Sequence, residues 1–251
     1  MKFYRMEQGS GEWYAKRLGI PTASNFHKII TPKTAELSKS AVPYMYKLLA
    51  ERLLNEPSDD ELGYVQWVRD GKDNEPHAVQ NFQFNVAARP LELGGFVTTD
   101  DGRLGCSPDR LFPGHKEAVE VKCPAPWTLL QYHLEGLEDA YRPQVQGQIL
   151  VGGFEAVHFY AWHPRCPPFH KITLPEPAYQ AKLREILDNF CNVLDQLEVR
   201  ARALGAYAVM RRVETPGEIA YTPDEDQQLK IVVDGKEVPD ERVQGDRGSA
   251  F

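Results

Sequence analysis

Apolar residues recur every three or four positions along several stretches of the chain, which is the spacing of amphipathic helices. Pro21 and Thr22 are typical helix-start residues, so we expect a turn that runs into a helix ending before Thr31. A second helix begins at Pro43, and a third spans Asn74–Phe84 with its proline in the first turn. Further helices are predicted over 127–134, 143–150 and 177–205, the last with a continuous apolar stripe.

The middle of the chain changes to short β-branched and aromatic runs that turn residues separate, which is typical of strands. Strands are predicted over 91–99, 103–107, 109–112, 118–122, 156–163 and 169–174. Helices followed by a strand meander, and then by helix and strand again, predict a mixed α+β domain built on one central sheet.

Composition and charge set limits on this picture. The chain has 251 residues, 42% of them hydrophobic, and a formal net charge of −7, which is typical of a globular protein. Its apolar runs are too short for a membrane helix, and its start lacks the apolar core of a signal peptide. We therefore expect a protein without a membrane span that stays in the compartment where it is made.

The C-terminal part differs in charge from the rest. Six basic and ten acidic residues follow Gly205, so most of the net negative charge lies there. We predict a domain over 1–205 and an acidic extension over 206–251, whose last part from Glu237 onward is mobile. Within the extension, Asp234-Gly235 is a candidate hairpin turn.

The four cysteines are widely scattered and form no CxxC pair. This spacing argues against a zinc finger or an iron–sulfur cluster. It favours reduced thiols in a cytosol.

The most informative segment is the predicted strand around Glu120. Glu120 and Lys122 are two residues apart, so both face one side of the strand, and Val119 and Val121 face the other. Asp109 precedes this strand by one short hairpin and can lie beside Glu120. Two carboxylates at one place repel each other unless a cation neutralises them.

A magnesium ion would suit this arrangement because Mg²⁺ prefers carboxylate oxygens, water and phosphate oxygens. The backbone carbonyl of Val121 could supply a further ligand, and Lys122 could orient or deprotonate a water. Such a group would hydrolyse phosphodiesters. The alternative is an exposed strand on which Glu120 and Lys122 form an ordinary surface salt bridge.

Ser107-Pro108-Asp109 followed by Glu120-Val-Lys122 resembles the PD-(D/E)XK nuclease signature. More narrowly, the chain resembles the phage lambda-type 5′→3′ exonuclease family, or YqaJ-like viral recombinases, over about residues 6–165. The matching blocks occur in the family's order, and they are 7–9 with Trp13 and 17–19, then 22–24, Gly71-Lys72 with Glu75, 106–109, 120–124 and 144–146. The resemblance implies a restriction-endonuclease-like core, with a central mixed sheet flanked by helices.

The resemblance also implies roles for individual residues. Asp109 and Glu120 would be metal ligands, Glu75 would join Asp109 at a second metal, and Lys122 would be the catalytic lysine. The residues in the positions that bind the terminal 5′-phosphate are Arg17, Ser24, Ser107 and Gln146. Some have simpler alternatives, namely a surface cation for Arg17, a helix cap or turn for Ser24, a solvated helix face for Gln146 and a helix-dipole contact for Glu75.

The function that the resemblance implies is a Mg²⁺-dependent exonuclease, with Mn²⁺ as a substitute. It would degrade the 5′-ended strand of linear double-stranded DNA and leave 3′ single strands for phage recombination. Its partners would be linear duplex DNA and a single-strand annealing protein, and it would form a ring-shaped homotrimer in the bacterial cytoplasm. The alternatives are a restriction-type endonuclease and a non-catalytic DNA-end-binding recombination scaffold.

Overall fold

The computed structural model describes residues 1–57, 66–137 and 139–204, with the backbone alone for 66–73 and for two strands near the C-terminus. The helices are α1 (Gly11–Arg17), α2 (Ala41–Leu54), α3 (Gln66–Phe82), α4 (Pro126–Glu135), α5 (Arg142–Gly152) and α6 (Pro177–Ala203). The strands are β1 (Lys2–Tyr4), β2 (Glu92–Leu93), β3 (Phe96–Thr98), β4 (Gly105–Cys106), β5 (Arg110–Leu111), β6 (Glu117–Lys122), β7 (Ala156–His163), β8 (Cys166–Thr173), β9 (Ile231–Val233) and β10 (Lys236–Val238).

Five of the described strands form a mixed sheet in the order β2-β5-β6-β7-β8. Strands β6 and β7 run parallel, with Glu120 opposite Phe159 and Lys122 opposite Ala161. The other neighbours in this sheet are antiparallel. The parallel pair is connected through α4 and α5, as a parallel crossover requires.

Helices cover both faces of the mixed sheet, so it carries apolar side chains on each side. On one face Val119, Val121 and Tyr160 pack with Ala78 and Phe82 of α3. On the other, a larger core is formed with α2, α4, α5 and α6, and its central sheet residues are Ala118, Val157, Phe159 and Ala161. The fold is therefore the predicted α+β arrangement of a mixed sheet flanked by helices.

The segment 91–99 is not the single strand that its composition predicts. It forms β2 and β3, which belong to different sheets, because β3 pairs with β1 and β4 in a separate antiparallel sheet. The break falls at Gly94 and Gly95. A Cβ on Gly94 would lie 1.6 Å from the carbonyl oxygen of Pro108, so only glycine allows this close backbone approach.

Three helical segments differ from what the sequence predicts. The segment after Thr22 is a 3-10 helix over Ala23–Lys28, although its apolar residues are buried as expected. Helix α1 was not predicted, since its sequence offers no apolar stripe and none of its residues is buried. Helix α3 begins at Gln66 rather than Asn74, so Pro76 lies inside the helix and not in its first turn.

Contacts within the chain separate it into two units, Met1–Tyr207 and Ala208–Phe251. In the second unit β9 and β10 pair antiparallel, with Val233 opposite Lys236, and the predicted turn at Asp234-Gly235 lies outside the described residues. The mobile end predicted from Glu237 onward lies largely outside the described residues. None of the described helices is both long enough and apolar enough to cross a membrane.

Candidate active site

Asp109 lies directly before β5 and is held at the edge of β6. Its backbone N–H donates to the carbonyl of Val119 over 3.0 Å, and its Oδ2 accepts from the N–H of Val121 at 2.6 Å. The residue is 8% exposed. The strand register and the glycine contact at Pro108 therefore fix the carboxyl group beside the end of β6.

Glu120 points from β6 toward α5 and is only 3% exposed. Its Oε1 accepts from Lys122 Nζ and from Gln144 Nε2, each at 2.5 Å. Its Oε2 accepts from Gln148 Nε2 at 2.5 Å. The two glutamines are four residues apart on α5, which places them on one helix face. Glu120 is thus a buried carboxylate with donors on both oxygens, unlike a residue in a surface salt bridge.

Val121 faces Asp109 through its backbone. Along a strand, the N–H and the C=O of one residue point to the same edge. Since the N–H of Val121 reaches Asp109, its carbonyl oxygen also lies on that edge, beyond the end of β5. The predicted backbone ligand therefore lies on the side of the strand where the Asp109 carboxyl group is found.

The charges in this group are strongly perturbed. Burial raises the pKa of Asp109 well above its usual range, and the nearby Glu120 raises it further, while Lys122 opposes this. Burial lowers the pKa of Lys122, but Glu120 and Asp109 outweigh that effect and the pKa is raised overall. Lys122 is consequently a cation in this arrangement, so its charge rather than a basic lone pair is presented to the site.

These groups line one cavity of about 190 Å³. Its lining residues are Gln8, Trp13, Arg17, Ser24, Ser107, Asp109, Glu120, Lys122, Gln144 and Gln148. The cavity brings residues from the N-terminal segment, the central hairpin and α5 to one place. Six of the residues predicted from the sequence are among them.

One part of the cavity carries no carboxylate, and its lining includes Arg17, Ser107 and Ser24. Arg17 Nη1 donates to Ser107 Oγ at 2.8 Å, and Trp13 Nε1 donates to the same oxygen at 3.0 Å. The Arg17 guanidinium also lies 4.0 Å above the Trp13 ring. Arg17 is therefore a fixed, half-buried cation and not a freely solvated one, and Ser24 is exposed to the cavity.

Gln146 is a correction to the predicted site. It is fully buried, and its Nε2 donates to the carbonyl of Leu174 at 2.9 Å. Its Oε1 accepts from the N–H of Glu176 and from Gln180 Nε2, each at 3.0 Å. Gln146 thus ties α5 to the start of α6 and does not line the cavity. It also does not lie on the solvated face that was the alternative.

Four cavity residues had no role assigned from the sequence: Gln8, Trp13, Gln144 and Gln148. The spacing of the glutamines on α5 could have predicted Gln144 and Gln148. Successive helix positions differ by about 100°, so residues 144 and 148 share a face and residue 146 points away from it. Trp13 lies one turn before Arg17 in α1, which similarly places the two side chains together.

Glu75 approaches the group from α3. It is close enough to Asp109 and Cys123 to raise the pKa of both, although burial is the larger cause for each; the pKa of Cys123 reaches about 11. Because α3 begins at Gln66, Glu75 is not in a first turn, and the predicted helix-dipole contact does not apply. Glu75 does not line the cavity that holds Glu120.

The donors present suit an oxygen-preferring ion. Among the described residues, no three His, Cys, Asp or Glu side chains are grouped so as to hold a metal by themselves. The oxygen donors at the cavity are the carboxylates of Asp109 and Glu120, with the Val121 carbonyl on the same edge. Mg²⁺ fits such a set because it commonly takes one or two carboxylates and completes its shell with water and phosphate oxygens.

Two solved proteins that resemble this chain in structure are described as exonucleases. An alkaline exonuclease from Laribacter hongkongensis (LHK-Exo) is 25% identical with a TM-score of 0.69, and the match covers 78% of this chain and 98% of that one. The same protein in complex with dAMP gives a TM-score of 0.68 at 25% identity, with coverage of 78% and 98%. A phage-related exonuclease from Haemophilus somnus 129PT, 15% identical with a TM-score of 0.56 and coverage of 72% and 96%, shares the fold.

No curated protein sequence matches the chain. The profile of the YqaJ-like viral recombinase domain, in contrast, matches residues 12–155. This match spans more than half of the chain and includes the cavity residues from Trp13 to Gln148. The chain therefore belongs to the YqaJ-like viral recombinase domain family.

Proposed function

We propose that this protein is a divalent-metal-dependent exonuclease that degrades the 5′-ended strand of linear double-stranded DNA. The observation that carries the proposal is the single cavity in which Asp109, Glu120 and Lys122 adjoin Arg17 and Ser107. Oxygen ligands for a metal and donors for a phosphate are thus adjacent. A cavity of about 190 Å³ cannot take in a duplex, so we propose that it receives the end of one strand.

The solved relatives support an exonuclease. LHK-Exo is an alkaline exonuclease and has been crystallised with dAMP, a deoxynucleoside monophosphate. Membership of the viral recombinase family supports a role in phage or prophage recombination. Both are consistent with a substrate that is DNA and a reaction that hydrolyses its backbone.

The residues of this chain have distinct parts in the proposed reaction. Asp109, Glu120 and the carbonyl of Val121 would hold Mg²⁺, for which Mn²⁺ would substitute, and Glu75 would join Asp109 at a second ion. The bound ion would supply Lewis-acid activation of water and neutralise phosphate charge. Lys122 presents a positive charge beside Glu120, where it would stabilise negative charge that develops on the phosphate.

The part of the cavity that carries no carboxylate would capture the end of the strand. A guanidinium forks onto phosphate oxygens, and hydroxyl groups complete such a contact. Arg17, Ser107 and Ser24 would hold the terminal 5′-phosphate in this way. Holding the end fixes which phosphodiester reaches the carboxylates, and this would make the enzyme an exonuclease.

The proposal extends to the organisation of the protein. Residues 1–205 would form the nuclease domain, with 206–251 as an acidic extension. A ring-shaped homotrimer would enclose linear duplex DNA, and a single-strand annealing protein would take over the 3′ single strands in the bacterial cytoplasm. Membership of the viral recombinase family supports the link to recombination, and the two units Met1–Tyr207 and Ala208–Phe251 support the division of the chain.

Strand-specific labelling tests the proposed activity. A linear duplex labelled on one strand, at either its 5′ or its 3′ end, is incubated with Mg²⁺ beside a closed circular duplex of the same sequence. We expect rapid release of the 5′ label as a mononucleotide, late release of the 3′ label and an intact circle. Cutting of the circle would indicate an endonuclease, and binding without cleavage would indicate a DNA-end scaffold.

A further inference from the structure

Gln148 is a buried amide in contact with the candidate metal ligand. It is 1% exposed, and its Nε2 donates to Glu120 Oε2 at 2.5 Å. None of the described residues donates a hydrogen bond to its Oε1, which is also buried. Buried amide oxygens are nearly always paired, so an unpaired one requires a physical explanation.

The orientation of this amide is determined by charge. If the Gln148 amide were rotated by 180°, its carbonyl oxygen would face a carboxylate oxygen of Glu120, and the two acceptors would repel each other. The N–H₂ group therefore faces Glu120, and Oε1 is directed elsewhere. Within the described part of the chain, the protein therefore leaves a buried acceptor unpaired, at a cost in stability, while it keeps the N–H₂ group of Gln148 on Glu120.

A neighbouring glutamine also contacts the Glu120 carboxylate. Gln144, one helical turn earlier, donates to the other carboxylate oxygen of Glu120. The two amides together hold the carboxylate plane from α5, while the strand holds its backbone. Gln148 alone of this pair also has an unpaired, buried oxygen. The two polar atoms of the Gln148 amide thus differ: the nitrogen donates to a protein carboxylate, and the buried oxygen has no donor among the described residues.

We propose that Gln148 is a positioning residue for the hydrolysis: its Nε2 holds the Glu120 carboxylate in the orientation in which it would bind the metal ion. This inference rests on the proposed function. The water oxygen forms a bond to phosphorus while the bond from phosphorus to the 3′ oxygen breaks. One water proton ends on that 3′ oxygen, and the other stays on the new 5′-phosphate or passes to solvent.

A pair of matched substitutions tests the assignment in the full-length protein. The substitutions Gln148→Met and Gln146→Met each remove a glutamine amide from α5. Of these two glutamines, only Gln148 contacts Glu120. Magnesium binding is measured by calorimetry without DNA, and cleavage is measured as kcat and KM. We expect Gln148→Met to bind Mg²⁺ at least about tenfold more weakly than wild type. Its kcat should be lower, and its KM for DNA should be unchanged.

The control variant should behave differently. Gln146→Met loses contacts that join α5 to α6, so we expect a lower melting temperature but the wild-type affinity for Mg²⁺. Wild-type Mg²⁺ affinity in a folded Gln148→Met protein would overturn the inference. A wild-type protein that neither binds Mg²⁺ nor cleaves DNA would overturn the proposed function itself.

A measurement on the unaltered protein covers the case in which Gln148→Met does not fold. The side-chain amide signals of Gln148 and Gln146 are assigned through bonds in a nitrogen-15 spectrum, and Mg²⁺ is then added. We expect the Gln148 signals to shift and the Gln146 signals to stay in place. Unmoved Gln148 signals at saturating Mg²⁺ would overturn the inference.

Discussion

Asp109 is buried next to a second carboxylate, and this position disfavours its charged form. Burial is the main reason that its pKa is raised, and Glu120 adds to it. A carboxyl group whose pKa is raised on folding stabilises the protein below its ordinary pKa. That contribution is lost as the pH rises through the folded pKa. The metal-free protein therefore carries an electrostatic penalty at neutral and alkaline pH.

Replacing Asp109 by asparagine separates stability from activity. Asparagine removes the charge but keeps an oxygen that can accept the Val121 N–H. In the absence of metal, we expect Asp109→Asn to melt at a higher temperature than wild type at pH 8, with a smaller difference at pH 5. Cleavage should fall by at least about 100-fold, since a proposed metal ligand is lost. Melting in EDTA and a cleavage assay check both statements.

Two outcomes would contradict these expectations, one for stability and one for cleavage. A less stable Asp109→Asn protein at pH 8 would show that burial and Glu120 do not disfavour the charged form of Asp109. Retained cleavage would remove Asp109 from the proposed metal site.

Arg17 should determine the preference for a phosphorylated end. We expect wild type to degrade a duplex with a 5′-phosphate faster than one with a 5′-hydroxyl. Arg17→Met should lose about tenfold on the phosphorylated substrate alone, because one charge-assisted contact is removed. Lys16→Met is the matched control, since Lys16 lies over the Tyr4 ring and does not line the cavity. Equal wild-type rates on both ends would contradict the proposed end pocket.

Among the secondary-structure elements, β6 was the most predictable and 91–99 the least. Successive side chains of a strand point to opposite faces, so the sequence of β6 was enough to predict that Glu120 and Lys122 share a face. The division of 91–99 depends on Gly94 meeting the carbonyl of Pro108, a contact between segments that local sequence does not contain. Tertiary contacts therefore determine where β2 ends.

The same limit explains the errors in the helices. Glu75 was placed in a first turn because the proline after it is usually found there, but α3 continues through that proline. On α5, the order of motifs pointed to Gln146, whereas helical rotation places residues 144 and 148 at the cavity. Which face of α5 meets β6 is decided by packing, and the motif alone does not specify it.

The pairing of β6, β7 and β8 also brings a titratable cluster together. His158 Nε2 lies 2.8 Å from Glu117 Oε2, and His158 Nδ1 lies 3.1 Å from His170 Nε2. Burial lowers the pKa of His170, and His158 lowers it further. A histidine with a lowered pKa stabilises the fold while it is neutral. That stability is lost as the pH falls below the ordinary histidine value of about 6.5.

Acid should therefore destabilise this part of the sheet. We expect the melting temperature of wild type to fall between pH 8 and pH 5.5 by more than that of His170→Gln, which cannot take up the proton. His133→Gln is a control, because this histidine contacts the Pro167 carbonyl outside the cluster. Parallel pH curves for wild type and His170→Gln would contradict the assignment.

For the molecule as a whole, the residues of the candidate site all lie in the first unit. The family match ends at residue 155, and the cavity residues extend only to Gln148. The sequence predicted the family and the fold of this unit because its motifs occur in a fixed order. The acidic extension contains no such motif, so neither its role nor its structure could be predicted beyond one hairpin.

Removing the extension tests this division. We expect a protein that ends at Gly205 to retain Mg²⁺-dependent cleavage of linear duplex DNA within about threefold of the full chain, because every cavity residue remains. The measurement is the initial rate on the same substrate, with melting temperature as the control for folding. Loss of cleavage in a folded truncated protein would assign the extension a direct part in the reaction.

A magnesium titration of wild type and Lys122→Met, on a linear duplex with 5′-phosphate ends, tests whether Asp109, Glu120 and Lys122 form a metal-dependent catalytic site. We expect wild-type cleavage to rise with Mg²⁺, to stop in EDTA and to return when Mg²⁺ is restored. Lys122→Met should stay folded and remain at least about 100-fold slower at every Mg²⁺ concentration. Cleavage by wild type in EDTA, or full activity of Lys122→Met, would contradict the proposed catalytic site.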